Sequence, residues 1–116
     1  MRLLIIFFAA GTLPLAATAQ APQITAQDCV VAQGVDSGNA RLESKCREEI
    51  EVAWCVRGGG GAAQRCPAGG GSEILRLGKS VRVQWTGKGA LEWGACVTPH
   101  RVVRNSKVGR FECRRN

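Results

Sequence analysis

The chain has 116 residues and a formal net charge of +7, with six cysteines, one histidine and no tyrosine. This length predicts a single small domain, because domains typically span roughly 50–250 residues. No segment holds the about 20 consecutive apolar residues that a membrane-spanning helix needs, which excludes a helical membrane protein.

The N-terminus predicts a cleaved signal peptide over residues 1–19. Arg2 supplies the positive start, Leu3 to Ala10 form a short apolar run, and Ala17 to Ala19 match the small-x-small cleavage pattern. The cut is expected after Ala19. Because Gln20 follows rather than a cysteine, the chain is not expected to be a lipoprotein. We expect an exported protein of the periplasm or the extracellular space, where disulfides persist.

All six cysteines lie beyond the predicted cut: Cys29, Cys46, Cys55, Cys66, Cys96 and Cys113. An even count in an exported chain favours three disulfides, each contributing roughly 2–4 kcal/mol. A zinc site is disfavoured, because there is no C-x-x-C pair and His100 is the only histidine. We expect neither a metal nor another cofactor.

The first part of the exported chain is polar. Residues 20–27 are predicted to be a flexible N-terminal arm, and residues 28–116 a single disulfide-bonded β domain. Cys29 to Ala32 suit a short strand, and the Gly, Asp, Ser and Asn residues of 34–39 indicate a loop.

The next segment is ambiguous. Leu42, Cys46 and Ile50 recur every four residues, as in a short helix. A strand over 42–46 that turns at 47–49 fits as well. We favour the strand, because helices this short need good packing to persist.

Ile50 to Val56 alternate apolar and mixed residues, which indicates a half-buried strand. The glycine-rich segment from Arg57 to Ser72 follows and is predicted to be a flexible loop. A phosphate-binding loop is excluded: Gly78-Lys79-Ser80 has the required ending, but Glu73 stands where a glycine is needed.

Three further strands are predicted. Glu73 to Leu77 form a short one, and the segments 80–85 and 91–97 both alternate around a glycine-containing turn. Together these two predict a hairpin. Its register would set Trp85 opposite Leu91, Val83 opposite Trp93, and Val81 opposite Ala95. All six side chains would then share one apolar face.

The C-terminal part is basic. Residues 98–107 are predicted to be an irregular connection, because Pro99 opposes strand pairing. Residues 108–113 suit a last strand and 114–116 a basic tail. The short strands and glycine turns predict an all-β fold, a small disulfide-stabilised antiparallel sandwich or partly open barrel.

This layout suggests a disulfide pairing. Cys55 and Cys66 flank the glycine loop, and Cys96 and Cys113 end neighbouring strands, which leaves Cys29 with Cys46. Six cysteines allow fifteen pairings, so the sequence alone does not decide between them. Cys55 and Cys96 fall out of phase with the apolar residues, so their bridges should lie on the outer side of the sheet.

Several motifs resemble those of known proteins. They are the strand Ile50-Glu-Val-Ala-Trp-Cys55, the following Cys66, the Leu77-Gly78 turn and Gly94-Ala95-Cys96. In these the chain resembles a loose class of uncharacterised small exported bacterial cysteine-rich β-domain proteins. The resemblance implies a disulfide-bonded β domain. It implies no activity and no catalytic residue.

The charge is divided unevenly: residues 20–73 carry −2 and residues 74–116 carry +8. A concentrated positive field attracts polyanions. We therefore expect a non-enzymatic, monomeric binding module for an anionic envelope component or an acidic protein, with no nucleic acid as partner. The candidate binding residues form a basic face: Arg101, Arg104, Lys107, Arg110, Arg114 and Arg115.

Other functions stay open at this level. The Cys55–Cys66 segment could be the loop of a secreted inhibitor or antagonist, although its consecutive glycines argue against a preorganised loop. An antibacterial or muralytic effector would need paired carboxylates from Glu48, Glu49, Glu51 and Glu73. A triad built on His100 lacks a recognisable nucleophile. Trp85 and Trp93 could form a stacking platform beside Arg82 and Lys88, but their phase favours the core.

Overall fold

The computed structural model describes residues 24–105, 107 and 109–115. The predicted signal peptide, its cleavage site and residues 20–23 lie outside this part. The fold is all-β, with three disulfides, which confirms the predicted class. A 3₁₀ turn (Gln27–Cys29) is followed by eight strands: β1 (Val30–Gln33), β2 (Asn39–Ser44), β3 (Ile50–Arg57), β4 (Gly71–Leu75), β5 (Ser80–Gln84), β6 (Ala90–Val97), β7 (Arg101–Asn105) and β8 (Arg110–Arg114).

The strands form two three-stranded antiparallel sheets and one two-stranded hairpin. The first sheet has the order β1-β2-β5, the second β4-β3-β6, and β7 pairs with β8 alone. Neither sheet closes into a barrel. We call the β7–β8 unit, residues 101–115, the basic hairpin.

The hydrophobic core draws its residues from both three-stranded sheets. Leu42 in the first sheet and Ile50, Val52 and Val56 in the second are fully buried. Their period of two directs alternate side chains to one face of each strand. Each such side chain contributes roughly 1.5–3 kcal/mol by leaving water, so this core is the main source of stability.

The predicted hairpin between 80–85 and 91–97 is wrong. β5 pairs with β2, setting Val83 opposite Ala40, whereas β6 pairs with β3, setting Trp93 opposite Trp54. The connection instead crosses between the sheets, where the N–H of Trp85 donates to the carbonyl of Gly38 at 3.0 Å. Apolar alternation defines the buried face of a strand but not its partner, and in a sandwich two such faces can meet across the core.

The burial of the six side chains was predicted correctly, but they lie on two sheets and not on one shared face. Val83, Trp85, Leu91 and Ala95 all belong to the core cluster, with Val81 and Trp93 packed against it. A strand rather than a helix is also confirmed for the ambiguous segment, but β2 spans residues 39–44 and not the predicted 42–46.

The irregular connection predicted over residues 98–107 is wrong over residues 101–105, which form β7. Pro99 lies in the turn before the strand, where its missing N–H costs no ladder bond. Each face of β7 carries both a valine and an arginine, so neither face shows the run of apolar residues that indicates a half-buried strand. β4 begins and ends two residues earlier than expected.

The disulfides join Cys29 to Cys46, Cys55 to Cys66 and Cys96 to Cys113, the pairs that the strand layout suggested. Cys55 and Cys96 lie on the face of the second sheet opposite the core, and each is 1% exposed. The glycine loop and the basic hairpin cover them. The third disulfide thereby attaches the hairpin to β6.

The chain before the 3₁₀ turn lies along β6. The N–H of Ala26 donates to the carbonyl of Ala95 at 2.9 Å, and the N–H of Val97 donates to the carbonyl of Ile24 at 2.8 Å. Ala26 is fully buried. This end of the predicted arm therefore packs against the β domain.

Candidate functional site: the basic hairpin

The structure brings the six predicted binding residues together on the basic hairpin. They are Arg101 and Arg104 in β7, Lys107 in the turn, Arg110 and Arg114 in β8, and Arg115 directly after it. Residues 101–115 contain six basic side chains and one acidic side chain, Glu112. The hairpin thus carries +5 of the +8 that the sequence places in residues 74–116.

The two faces of the basic hairpin differ in character. Val102 pairs with Cys113 and Arg104 with Phe111, so these four side chains share the face that packs on β6. A side chain in place of Gly94 would collide with Phe111, so the glycine permits this close approach. Arg101, Arg110 and Arg114 alternate onto the opposite face.

Glu92 of β6 anchors the inner face of the hairpin. One carboxylate oxygen accepts from Arg104 at 2.8 Å, and the other lies 3.2 Å from a guanidinium nitrogen of Arg57. Arg104 also lies over the Phe111 ring, 5.9 Å from its centroid, in a cation–π arrangement. Because its side chain is only 17% exposed, Arg104 attaches the hairpin rather than presenting charge to a ligand.

Glu51 of β3 makes a second attachment. Its carboxylate accepts from Nε of Arg101 at 3.1 Å and from the N–H of Val102 at 2.8 Å. The side chain of Glu51 is 6% exposed, and a buried carboxylate is tolerated only when it is paired and hydrogen-bonded. Arg101 thus helps to attach the hairpin, and its charge is only partly available to a ligand.

The remaining cations face solvent. Arg114 lies 3.5 Å from Glu112 in an exposed pair, which contributes little to stability. Lys107, Arg110 and Arg115 are exposed and make no ion pair with any described residue. The sequence did not distinguish these cations from the two that attach the hairpin, because the roles of Glu51 and Glu92 appear only in three dimensions.

A cavity of about 380 Å³ lies between the tip of the basic hairpin and β6. We call it the edge cavity. It combines aromatic, amide and charged groups, and its lining residues are Gln27, Glu92, Trp93, Gly109, Arg110 and Phe111. One of the exposed cations, Arg110, therefore lines this open cavity.

The other sequence candidates fall elsewhere. Trp85 is 7% exposed and lies in the core, and Trp93 packs against it, which confirms the favoured prediction over the stacking platform. The glycine loop is more extensively hydrogen-bonded than its composition predicted. Val56 pairs through its backbone with Gln64 and Cys66, and the Gln64 side chain donates to the carbonyl of Gln84 at 2.6 Å.

A potential ligand cluster lies beside this loop. The sulfurs of Cys55 and Cys66 and a carboxylate oxygen of Glu92 lie within 4.8 Å of one another. The two sulfurs are joined to each other, and Glu92 is engaged by two arginines. Cysteine binds a metal as a thiolate. Because both sulfurs of this cluster are in a disulfide, neither is a thiolate ligand.

The fold and site define a small disulfide-bonded all-β domain with a separately attached basic hairpin. Three disulfides are compatible with an oxidising compartment. Comparisons with known protein families, with curated proteins and with solved structures found no match to this chain. None of the helices in the described part of the chain has the length and apolar character to cross a bilayer.

Proposed function

We propose that this protein is an exported, non-enzymatic binding module whose basic hairpin recognises an anionic component of the cell envelope. The observation that carries the proposal is the separation of roles among the six cations. Arg101 and Arg104 neutralise carboxylates of the second sheet, whereas Lys107, Arg110 and Arg115 project into solvent from a unit with one acidic residue. An acidic protein is the alternative partner.

Cross-strand geometry supports an anionic ligand. Arg101 and Arg114 lie directly opposite one another on the outward face. Like charges in this position are destabilising by up to about 1 kcal/mol, and the nearby carboxylates offset only part of that repulsion. A polyanion laid across this face would relieve the repulsion and release counterions, so binding should weaken as salt increases.

The test compares two triple charge reversals. Lys107→Glu/Arg110→Glu/Arg115→Glu removes the three exposed cations of the hairpin that make no ion pair with a described residue, without changing its attachment. The matched control, Lys79→Glu/Arg82→Glu/Lys88→Glu, makes the same change in net charge at exposed positions of β5 and the turns beside it. Probes are a uronate polymer, phosphatidylglycerol vesicles and polyglutamate, each measured at about 0.05 M and 0.5 M salt.

The hairpin variant should lose at least about tenfold in affinity for the uronate polymer or the vesicles, and the control less than about threefold. Equal losses in the two variants would contradict the proposal, because the effect would then follow net charge and not position. Binding to polyglutamate alone would assign the acidic-protein alternative.

The inhibitor function has one specific observation in its favour. The segment between Cys55 and Cys66 is held by backbone pairs at Val56 and by a bond from the N–H of Gly60 to the carbonyl of Thr86 at 3.0 Å. Its tip, Gly61 to Ala63, is exposed. A preorganised protruding loop loses less entropy on binding. Replacing Ala62 and Ala63 with aspartate should abolish enzyme inhibition while leaving polyanion binding intact.

A further inference from the structure

The edge cavity lies where a strand edge is left open. The N–H of Leu91 donates to the carbonyl of Val35 at 2.6 Å, and the carbonyl of Ala95 accepts from Ala26 at 2.9 Å. Both groups point away from β3. Because the N–H and C=O groups of a strand alternate in direction with a period of two, those of Trp93, midway between them, also point to this edge.

Neither backbone group of Trp93 has a hydrogen-bond partner among the described residues. Trp93 and Gln27 both line the edge cavity, and the side chain of Trp93 packs against the core, so the backbone of Trp93 is the part that we infer to face the cavity. The N–H of Trp93 can donate to the C=O of a ligand's secondary amide, and the C=O of Trp93 can accept from a hydroxyl beside that amide, because the N–H and C=O of a trans amide point in opposite directions.

The open edge is short. Val35 closes it at Leu91, and Ala26 closes it at Ala95. An extended peptide running along β6 would collide with both of these pairings, so the edge accommodates one amide and not a continuous strand. A cavity of about 380 Å³ lies near the lower end of the range for small-molecule sites, roughly 300–1,000 Å³. These dimensions favour a compact unit such as one sugar.

The electrostatics of the cavity favour an acidic unit. Among the described residues that line it, the one carboxylate is that of Glu92, which is engaged by Arg57 and Arg104. Arg110 lines the cavity and makes no ion pair with any described residue, and a guanidinium can form a bidentate bond with a carboxylate. Phe111 adds an apolar ring face against which an acyl methyl or the C–H face of a sugar can pack.

We propose that the edge cavity binds an N-acylated sugar that carries a carboxylate, with its amide on the Trp93 backbone and its carboxylate on Arg110. This inference rests on the proposed function, since it identifies the unit of the anionic envelope component that the hairpin recognises. The remaining exposed cations, Lys107 and Arg115, would then contact further negative charges of the polymer.

The test measures binding of four small probes to the exported chain by calorimetry at physiological salt. N-acetylmuramic acid has both groups, N-acetylglucosamine lacks the carboxylate, glucuronic acid lacks the amide, and N-acetylglutamate has both groups without a sugar. N-acetylmuramic acid should bind at least about tenfold more tightly than each of the others. If N-acetylglutamate binds as tightly as N-acetylmuramic acid, the sugar ring is not recognised, and the ligand would be an acidic peptide end instead.

Two single variants locate the site. Arg110→Gln should weaken N-acetylmuramic acid binding by about tenfold or more, whereas Arg82→Gln, an exposed arginine of β5 outside the cavity and outside the basic hairpin, should change it less than about twofold. Because both side chains are exposed, neither variant should unfold. Independently, the probe should shift the backbone amide resonance of Trp93.

The two proposals fail separately. Absence of saturable binding by N-acetylmuramic acid, while the hairpin triple variant still loses polymer affinity, would overturn the edge-cavity site alone. The opposite result is N-acetylmuramic acid binding that depends on Arg110, while both triple variants bind the polymer equally. It would support the edge-cavity site and overturn the proposal that the basic hairpin recognises a polyanion. An unshifted Trp93 amide on saturation would also overturn the amide contact.

Discussion

The sandwich and the basic hairpin are held by different forces. The two three-stranded sheets meet through apolar side chains, and no described residue of the hairpin belongs to that core cluster. The hairpin is instead attached by one disulfide, by Glu51 and Glu92, and by the close contact at Gly94. The hairpin surface can therefore change while the core stays folded, which suits a recognition element on a stable support.

The largest effect is expected in the sandwich. Leu42→Ala removes a fully buried side chain between the sheets and should lower the free energy of unfolding by about 2–5 kcal/mol. Chemical denaturation measures this loss. The matched control is Leu77→Ala, which truncates an exposed leucine and should cost less than about 0.5 kcal/mol. Similar losses in both variants would contradict the assignment of the core.

The next effect separates the two regions. Cys96→Ser/Cys113→Ser removes the bridge between β6 and β8 and should cost about 2–4 kcal/mol in the hairpin's attachment. Hydrogen exchange should rise in β7 and β8 while the amides of β2 and β3 stay protected. Uniform loss of protection would show that hairpin and sandwich unfold as one unit.

A smaller effect is expected at the charged attachment. Glu92→Gln keeps the shape but removes the charge that Arg57 and Arg104 share, and should cost about 1–2 kcal/mol. Glu73→Gln, an exposed residue of β4, is the control and should change the free energy of unfolding by less than about 0.5 kcal/mol. If the two variants are equally stable, Glu92 does not hold the hairpin.

The triple charge reversal of the hairpin should have the smallest effect per substitution on stability and the largest effect on binding. Lys107→Glu/Arg110→Glu/Arg115→Glu alters only exposed side chains, so its free energy of unfolding should stay within about 0.5 kcal/mol per substitution. A thermal melt of the folded variant measures this. A large drop in melting temperature would mean that these cations also attach the hairpin.

Much of the sandwich follows from periodicity in the sequence. The alternation in β3 and β6 correctly predicted the buried faces, including the outward position of Cys55 and Cys96. The sequence did not predict which strands pair, because two alternating strands can be hydrogen-bonded neighbours in one sheet or can face each other across the core in two sheets. A local turn made β5 and β6 look like a hairpin, whereas tertiary packing sets β5 beside β2.

The candidate site was predictable only in part. The sequence located its cations, but β7 was missed because its alternation is carried by arginine and valine. The carboxylates that divide the cations into attaching and exposed groups come from β3 and β6, distant in sequence. The open edge at Trp93 depends on where neighbouring segments begin and end their hydrogen bonding with β6. Amino-acid composition does not predict these positions.

The most direct test of the basic hairpin as the recognition surface is a residue-resolved NMR titration of the exported chain with a uronate polymer. Amide shifts should be confined to residues 101–115 and the neighbouring β6 edge, with β1, β2 and β5 unchanged, and high salt should reverse them. Shifts centred on β5 and its Lys79 and Arg82, or spread evenly over all basic residues, would contradict the account.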